Sequence, residues 1–168
     1  MTKLDQINAL SKDEAIQEFA KCCGTRAFAT QMADSRPFLN PDALYDRAKE
    51  IWNSLSPQEW REAFDHHPRI GGTDELKKKF GKTAEWASQE QSGVAAASDE
   101  LIARLADGNA RYEVRFGHIF LVCATGKSAA EMLAMLETRM QNDPDTEFRI
   151  AAAEQAKITQ IRLEKLLT

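Results

Sequence analysis

Along most of this chain apolar residues recur three and four positions apart, the spacing of a helix that buries one face. They fall at Leu44, Ala48, Ile51, Trp52 and Leu55 in one segment, and at Ala129, Leu133, Leu136 and Met140 in another. In the last segment they fall at Ile150, Ile158, Ile161 and Leu166, with Arg162 close to the edge of that face. Polar residues at the segment starts agree. Ser11 with Glu14, Ser56 with Glu59 and Ser128 with Glu131 match the S-x-x-E capping box, in which the two side chains satisfy free N–H groups at a helix start. Asn40 followed by Pro41 predicts a fourth start, because proline at the first helical position gives up a donor that has no partner anyway. Asp145 is expected to cap a fifth. The main exception is HIFLVCATG, residues 118–126, a β-branched and aromatic run closed by Gly126 that reads either as extended chain or as the end of a helix. With no internal repeat, low-complexity tract or linker, the pattern predicts an all-α fold, a single compact domain of seven to nine helices over residues 1–168.

Composition narrows the function classes. A chain of 168 residues, 43% hydrophobic, suffices for one core and is too short for two comfortable ones. The formal charge of −4 and a pI near 5.5 argue against a nucleic-acid partner, since phosphate binding draws on clustered Lys and Arg. The one basic cluster, Lys77 to Lys79 with Lys82, reads as a solvated helix face. Cys22, Cys23 and Cys123 are odd in number and lack CxxC spacing, which fits a reducing compartment. No signal-peptide core and no 18-residue apolar run is found, so a soluble, cytoplasmic protein with no membrane partner is expected.

Four stretches are candidates for chemistry. In DHHPRIGG, residues 65–72, Pro68 fixes its own φ and pushes His67 out of the α region, while Gly71 and Gly72 admit backbone angles closed to other residues. A histidine displayed in that way suits general acid or base work; the plainer reading is a helix-ending turn with one surface and one core histidine. Metal binding is disfavoured, because adjacent histidines rarely face one ion and the chain lacks HExxH or a Cys/His quartet. In EWASQEQSGV, Glu90 and Gln91 offer a carboxylate and an amide to a nitrogen-rich substrate, or else form a polar helix face. Residues 119–123 would serve through backbone N–H groups aimed at ligand oxygens, or are simply core. Arg162 either turns its charged fork inward toward an anionic group or snorkels outward.

Taken in order, HHPRIGG, WASQEQSGV, RFGHIFLVCATGKSAAEML and KITQIRLEKL resemble the 2-oxo-4-hydroxy-4-carboxy-5-ureidoimidazoline (OHCU) decarboxylases, which act last on the route from urate to allantoin. The resemblance runs from FAKCCGTRAFATQMADSRPF to the C-terminal segment, and HPRIGG with the downstream EQ pair is its most specific part. It implies an all-helical, cofactor-free and metal-free carboxy-lyase, usually a homodimer, acting on a small ureidoimidazoline. Carried over residue by residue, it implies His67 and Glu90 as catalytic groups. Pro68, Gln91, Ile119, Phe120, Leu121, Val122, Cys123 and Arg162 would bind substrate. Many relatives read W-S-x-x-E-Q, whereas Trp86 is followed here by Ala87; Ser88, one place later, is the candidate for the missing hydroxyl contact. The terminal EKLLT lacks the S-K-L type tripeptide of peroxisomal relatives, in keeping with the cytoplasmic expectation. Two rival functions are hydrolysis of a ureide ring by the same groups and a non-catalytic helical interaction domain.

Overall fold

The computed structural model describes residues 1–67 and 99–168. Among them are eight helices and no strand: α1 (Lys3–Ala9), α2 (Lys12–Ala20), α3 (Arg26–Asp34), α4 (Pro41–Ser54), α5 (Pro57–Asp65), α6 (Asp99–Phe116), α7 (Ala129–Arg139) and α8 (Pro144–Leu166). The expected all-α class is thus observed. Pro68, Gly71, Gly72, Lys77 to Lys79, Lys82, Ser88, Glu90 and Gln91 lie outside the described residues.

Most helix starts are those the sequence marks. Ser11 and Ser56 make complete capping boxes with Glu14 and Glu59. Asn40 accepts the Ala43 N–H at 2.8 Å ahead of Pro41, and Ser128 accepts that of Glu131 at 3.1 Å. Thr2 adds a box with Asp5 that the serine pattern passes over. The fifth cap is a correction. Asp143, not Asp145, accepts the Thr146 N–H at 3.0 Å and the Thr146 hydroxyl at 2.7 Å, so α8 begins with Pro144 at its first turn and Asp145 already inside. Proline's preference for the first helical position is the signal that fixes this register.

Packing divides the chain into two compact units, residues 1–67 with 152–168, and residues 68–151; α8 contributes its first part to the second and the rest to the first. In the first unit Phe19, Phe28, Phe64, Leu44 and Leu163 are fully buried, each worth about 1.5–3 kcal/mol of apolar burial. Trp52 and Trp60 stack with ring centroids 5.7 Å apart. Their indole N–H groups donate to Ala152 O and Trp52 O at 3.1 and 2.9 Å, tying α4 to α8 and α5 to α4. The second unit centres on Ile102, Leu105, Tyr112, Phe116, Phe120, Met132, Leu133 and Leu136.

The predicted faces of α4 and α7 are largely those observed: Leu44, Ala48, Ile51, Trp52, Leu55, Ala129, Leu133 and Leu136 are buried. On α8 the expectation fails. Ile150, Ile158, Ile161 and Leu166 are only half-buried. The buried positions are Glu147, Ala151, Ala152, Glu154, Gln155, Thr159 and Leu163, which follow helical spacing but are mostly polar or small. An apolar stripe finds the inside only where the inside is apolar, and on α8 polar side chains are buried against polar partners.

Candidate functional site

His67 directly follows α5, where its N–H donates to Phe64 O at 3.2 Å and continues the last turn. Phe64 and Ala63 are sunk in the core and fix the direction of that turn. On the other side Gly24 lies so close to His66 that a β-carbon built on the glycine would stand 2.3 Å from His66 Cβ, so only glycine fits there. His66 is exposed and His67 half-buried, which separates the adjacent imidazoles.

The partner of His67 comes from α8. Its Nε2 is bonded to Oε1 of Gln155, a residue 1% exposed, and Gln155 Nε2 donates to Thr159 Oγ1 at 3.0 Å. Thr159 in turn stands beside the buried Cys23 thiol. Gln155, Thr159 and Arg162 stand four and three residues apart on one face of the helix, and the positive charge of Arg162 acts on His67, Cys22 and Cys23. Arg162 itself is half-buried on that face. Burial, first, and then the charges of Arg162 and His66 hold the imidazole below its usual pKa, against the opposing pull of the Gln155 bond. Near neutral pH His67 is consequently uncharged and able to take a proton. Burial pushes both neighbouring thiols up to about 11, which leaves Cys22 and Cys23 as unreactive S–H groups.

The second unit holds residues 119–123. Helix α6 ends at Gly117, whose φ of 78° is the left-handed conformation open to glycine and whose N–H closes on Glu113 O at 2.8 Å. From Ile119 to Ala124 the chain is non-helical without pairing as a strand, which settles the ambiguity of HIFLVCATG. The side chains of Phe120, Leu121, Val122 and Cys123 are buried, so the segment has backbone rather than side chains to offer a ligand. Three alternate carbonyls are held by side chains: Ile119 O by His118 Nδ1 at 3.0 Å, Leu121 O by Arg139 Nη1 at 2.6 Å and Cys123 O by Lys127 Nζ at 2.7 Å.

Arg139 is the centre of that arrangement, and the sequence reading missed it. Buried at the end of α7, it donates from Nε to Glu147 Oε1 at 2.7 Å, with Nη2 2.5 Å from the same oxygen. Its guanidinium also lies 4.5 Å from the centre of the Phe120 ring. Glu147, fully buried on α8, further accepts the Tyr112 hydroxyl at 2.5 Å and Asn142 Nδ2 at 3.0 Å. Burial and the Glu147 bond keep the Tyr112 phenol protonated far above its usual range, so it remains a donor. A signal was present: Arg139 falls three residues after Leu136, on the buried side of α7.

Fold and contacts together define an all-α protein with a half-buried imidazole bonded to a buried amide in one unit and, in the other, a non-helical segment bonded by side chains through its carbonyls. The family is specific: the sequence profile of the OHCU decarboxylases matches residues 8–164, and the chain belongs to that family. It is 31% identical over 163 residues to 2-oxo-4-hydroxy-4-carboxy-5-ureidoimidazoline decarboxylase of Amia calva, covering 96% of this chain and 93% of that protein. It is 39% identical over 154 residues to the uric acid degradation bifunctional protein TTL of Arabidopsis thaliana, which is 90% of this chain but only 47% of the relative, so it spans about half of that protein's length. A crystal structure of OHCU decarboxylase in the presence of (S)-allantoin superposes with a TM-score of 0.71 at 37% identity, over 89% of this chain and 96% of that one.

Proposed function

We propose that the protein decarboxylates 2-oxo-4-hydroxy-4-carboxy-5-ureidoimidazoline to (S)-allantoin and CO₂ in urate breakdown, without metal or cofactor. The observation that carries this reading is His67, neutral, half-buried, bonded to Gln155 and under the charge of Arg162, in a chain whose family is established. The bond from the carboxylate to a carbon that also bears a hydroxyl breaks, CO₂ leaves, and the electron pair passes into the neighbouring ring C=N system. A proton then arrives on one face. His67 manages the hydroxyl proton as general base or returns a proton as acid. Glu90 orients His67 or holds the ureido N–H groups, and Gln91 completes those hydrogen bonds. Pro68 restricts the backbone of the preceding His67, Ser88 or a water molecule supplies the hydroxyl contact that Ala87 lacks, and backbone N–H groups from Ile119 to Cys123 bind ring or ureido oxygens. A tight pair between Arg162 and the departing carboxylate would stabilise the ground state more than the transition state, so Arg162 binds and orients other oxygens.

The two compact units act as one functional domain in this reading, since the family profile runs across both. The protein works as a homodimer in the cytoplasm, where its three free cysteines stay reduced, and takes neither nucleic acid nor membrane as partner. Among the described residues no helix is long and apolar enough to cross a membrane.

The test is handedness. A proton delivered in free solution reaches both faces of the planar intermediate, whereas a fixed ring with one proton source gives one enantiomer. Freshly generated substrate, followed by circular dichroism and CO₂ release, is expected to give optically active allantoin with the wild type. His67→Ala is expected to give racemic product at near the background rate. Racemic product from the wild type, assayed before spontaneous racemisation, would overturn the reading.

A further inference from the structure

The amide of Gln155 is buried to 1% exposure, and its two ends face different groups: Oε1 meets His67 Nε2 and Nε2 donates to Thr159 Oγ1. We infer that Gln155 is a positioning residue that selects the tautomer of His67, keeping the proton on Nε2 and leaving the lone pair of Nδ1 to exchange the substrate's proton. This inference rests on the proposal that His67 is the acid or base of the reaction.

The argument is one of donors and acceptors. A carbonyl oxygen accepts and does not donate, so the imidazole nitrogen bonded to Oε1 must carry hydrogen. In an uncharged ring only one nitrogen does, and the other is then a base. Burial and the charge of Arg162 favour the uncharged ring, so the choice between two neutral tautomers is the one that matters near neutral pH. The amide lies with Oε1 toward the imidazole and with Nε2 donating to Thr159 Oγ1 on its far side. Thr159 is 5% exposed and stands beside the fully buried Cys23, so the chain of bonds from His67 ends in the core rather than in solvent. Such a chain orients a ring, and it delivers no proton to or from bulk water. A glutamine serves better here than a glutamate would: a carboxylate at the same place would stabilise the imidazolium and raise its pKa, converting a base that is free near neutrality into one that is largely occupied.

The experiment has one arm that reads the ring and one that reads the reaction, both on the intact protein. In nitrogen-15 NMR of histidine-labelled protein near neutral pH, His67, assigned by its disappearance in His67→Asn, is expected to show a protonated Nε2 and an unprotonated Nδ1. In Gln155→Met the pattern should move toward a mixture of tautomers. In the reaction, Gln155→Met is expected to lower kcat about tenfold or more, the scale on which outer partners of a functional histidine act, with KM little changed. Gln155→Glu is expected to move the acid limb of kcat/KM to higher pH, a change that a merely structural role for Gln155 would not produce. A wild-type ring protonated on Nδ1, or an acid limb left in place by Gln155→Glu, would overturn the inference. Full activity in His67→Asn would instead overturn the functional reading beneath it, and the NMR arm keeps the two failures apart.

Discussion

At the scale of single residues, the protonation of His67 joins function to stability. Burial and neighbouring positive charge lower its pKa in the folded state below the ordinary value, so as pH falls the unfolded chain takes up this proton first. The stability linked to neutral His67 is therefore whole above the unfolded value of about 6.5. It declines as pH drops from there toward the lower folded-state value. Between those two values the melting temperature of the wild type should fall more steeply with acid than that of His67→Asn, which has no proton to take up. Parallel melting curves across that window would show that burial does not perturb the imidazole. Catalysis makes a separate demand on the same atom, and His67→Asn should lower turnover by about 10²-fold or more while His66→Asn, altering an exposed ring, does far less. Equal effects of the two substitutions would mean that the wrong imidazole has been assigned.

At the scale of elements, two ends of helices decide local structure. Loss of the cap in Asp143→Ala should cost about 1 kcal/mol, whereas Asp145→Ala, inside the first turn, should cost a few tenths; thermal unfolding of the two variants ranks them, and the reverse order would restore Asp145 as the cap. At the end of α7, Arg139 and Glu147 form a pair with side-chain exposures of 7% and 0%. Arg139→Leu leaves the Glu147 charge buried without its partner, at a cost of about 3–5 kcal/mol, and frees the Leu121 carbonyl. Denaturant unfolding should register that loss. A cost below about 1 kcal/mol would place the pair with surface ion pairs.

At the scale of the whole molecule, the expectation concerns what the chemistry does without. Among the described residues no cluster of three or more His, Cys, Asp or Glu is arranged to hold a metal, and loss of CO₂ into a neighbouring C=N system needs no electron acceptor outside the substrate. Activity should survive exhaustive chelation. A loss restored by a divalent ion would overturn the metal-free proposal. The chain matches 93% of the length of the Amia calva decarboxylase and 47% of the Arabidopsis thaliana bifunctional protein, so the segment that carries the family is found both nearly alone and as part of a longer protein.

The helical class, most helix starts and the inner faces of α4 and α7 were legible in the residues, because capping and helical period act over a few positions of chain; His67 and Arg162 carried weak signals separately and were drawn together as candidates by the family resemblance. Two readings were not legible. The buried side of α8 is lined by Glu147, Gln155 and Thr159 rather than by its isoleucines, and hydrophobic period carries no information about a polar side chain whose cost of burial is met by a partner distant in sequence. Gln155 meets His67 across 88 positions, and Arg139 meets Leu121 O across 18. Which residues become neighbours at such separations is fixed by the packing of helices on one another. The sequence therefore determined the helices and the candidate groups on or beside them; the tertiary structure decided which side chain meets Nε2 of His67 and which side chains bond the carbonyls of the 119–123 backbone.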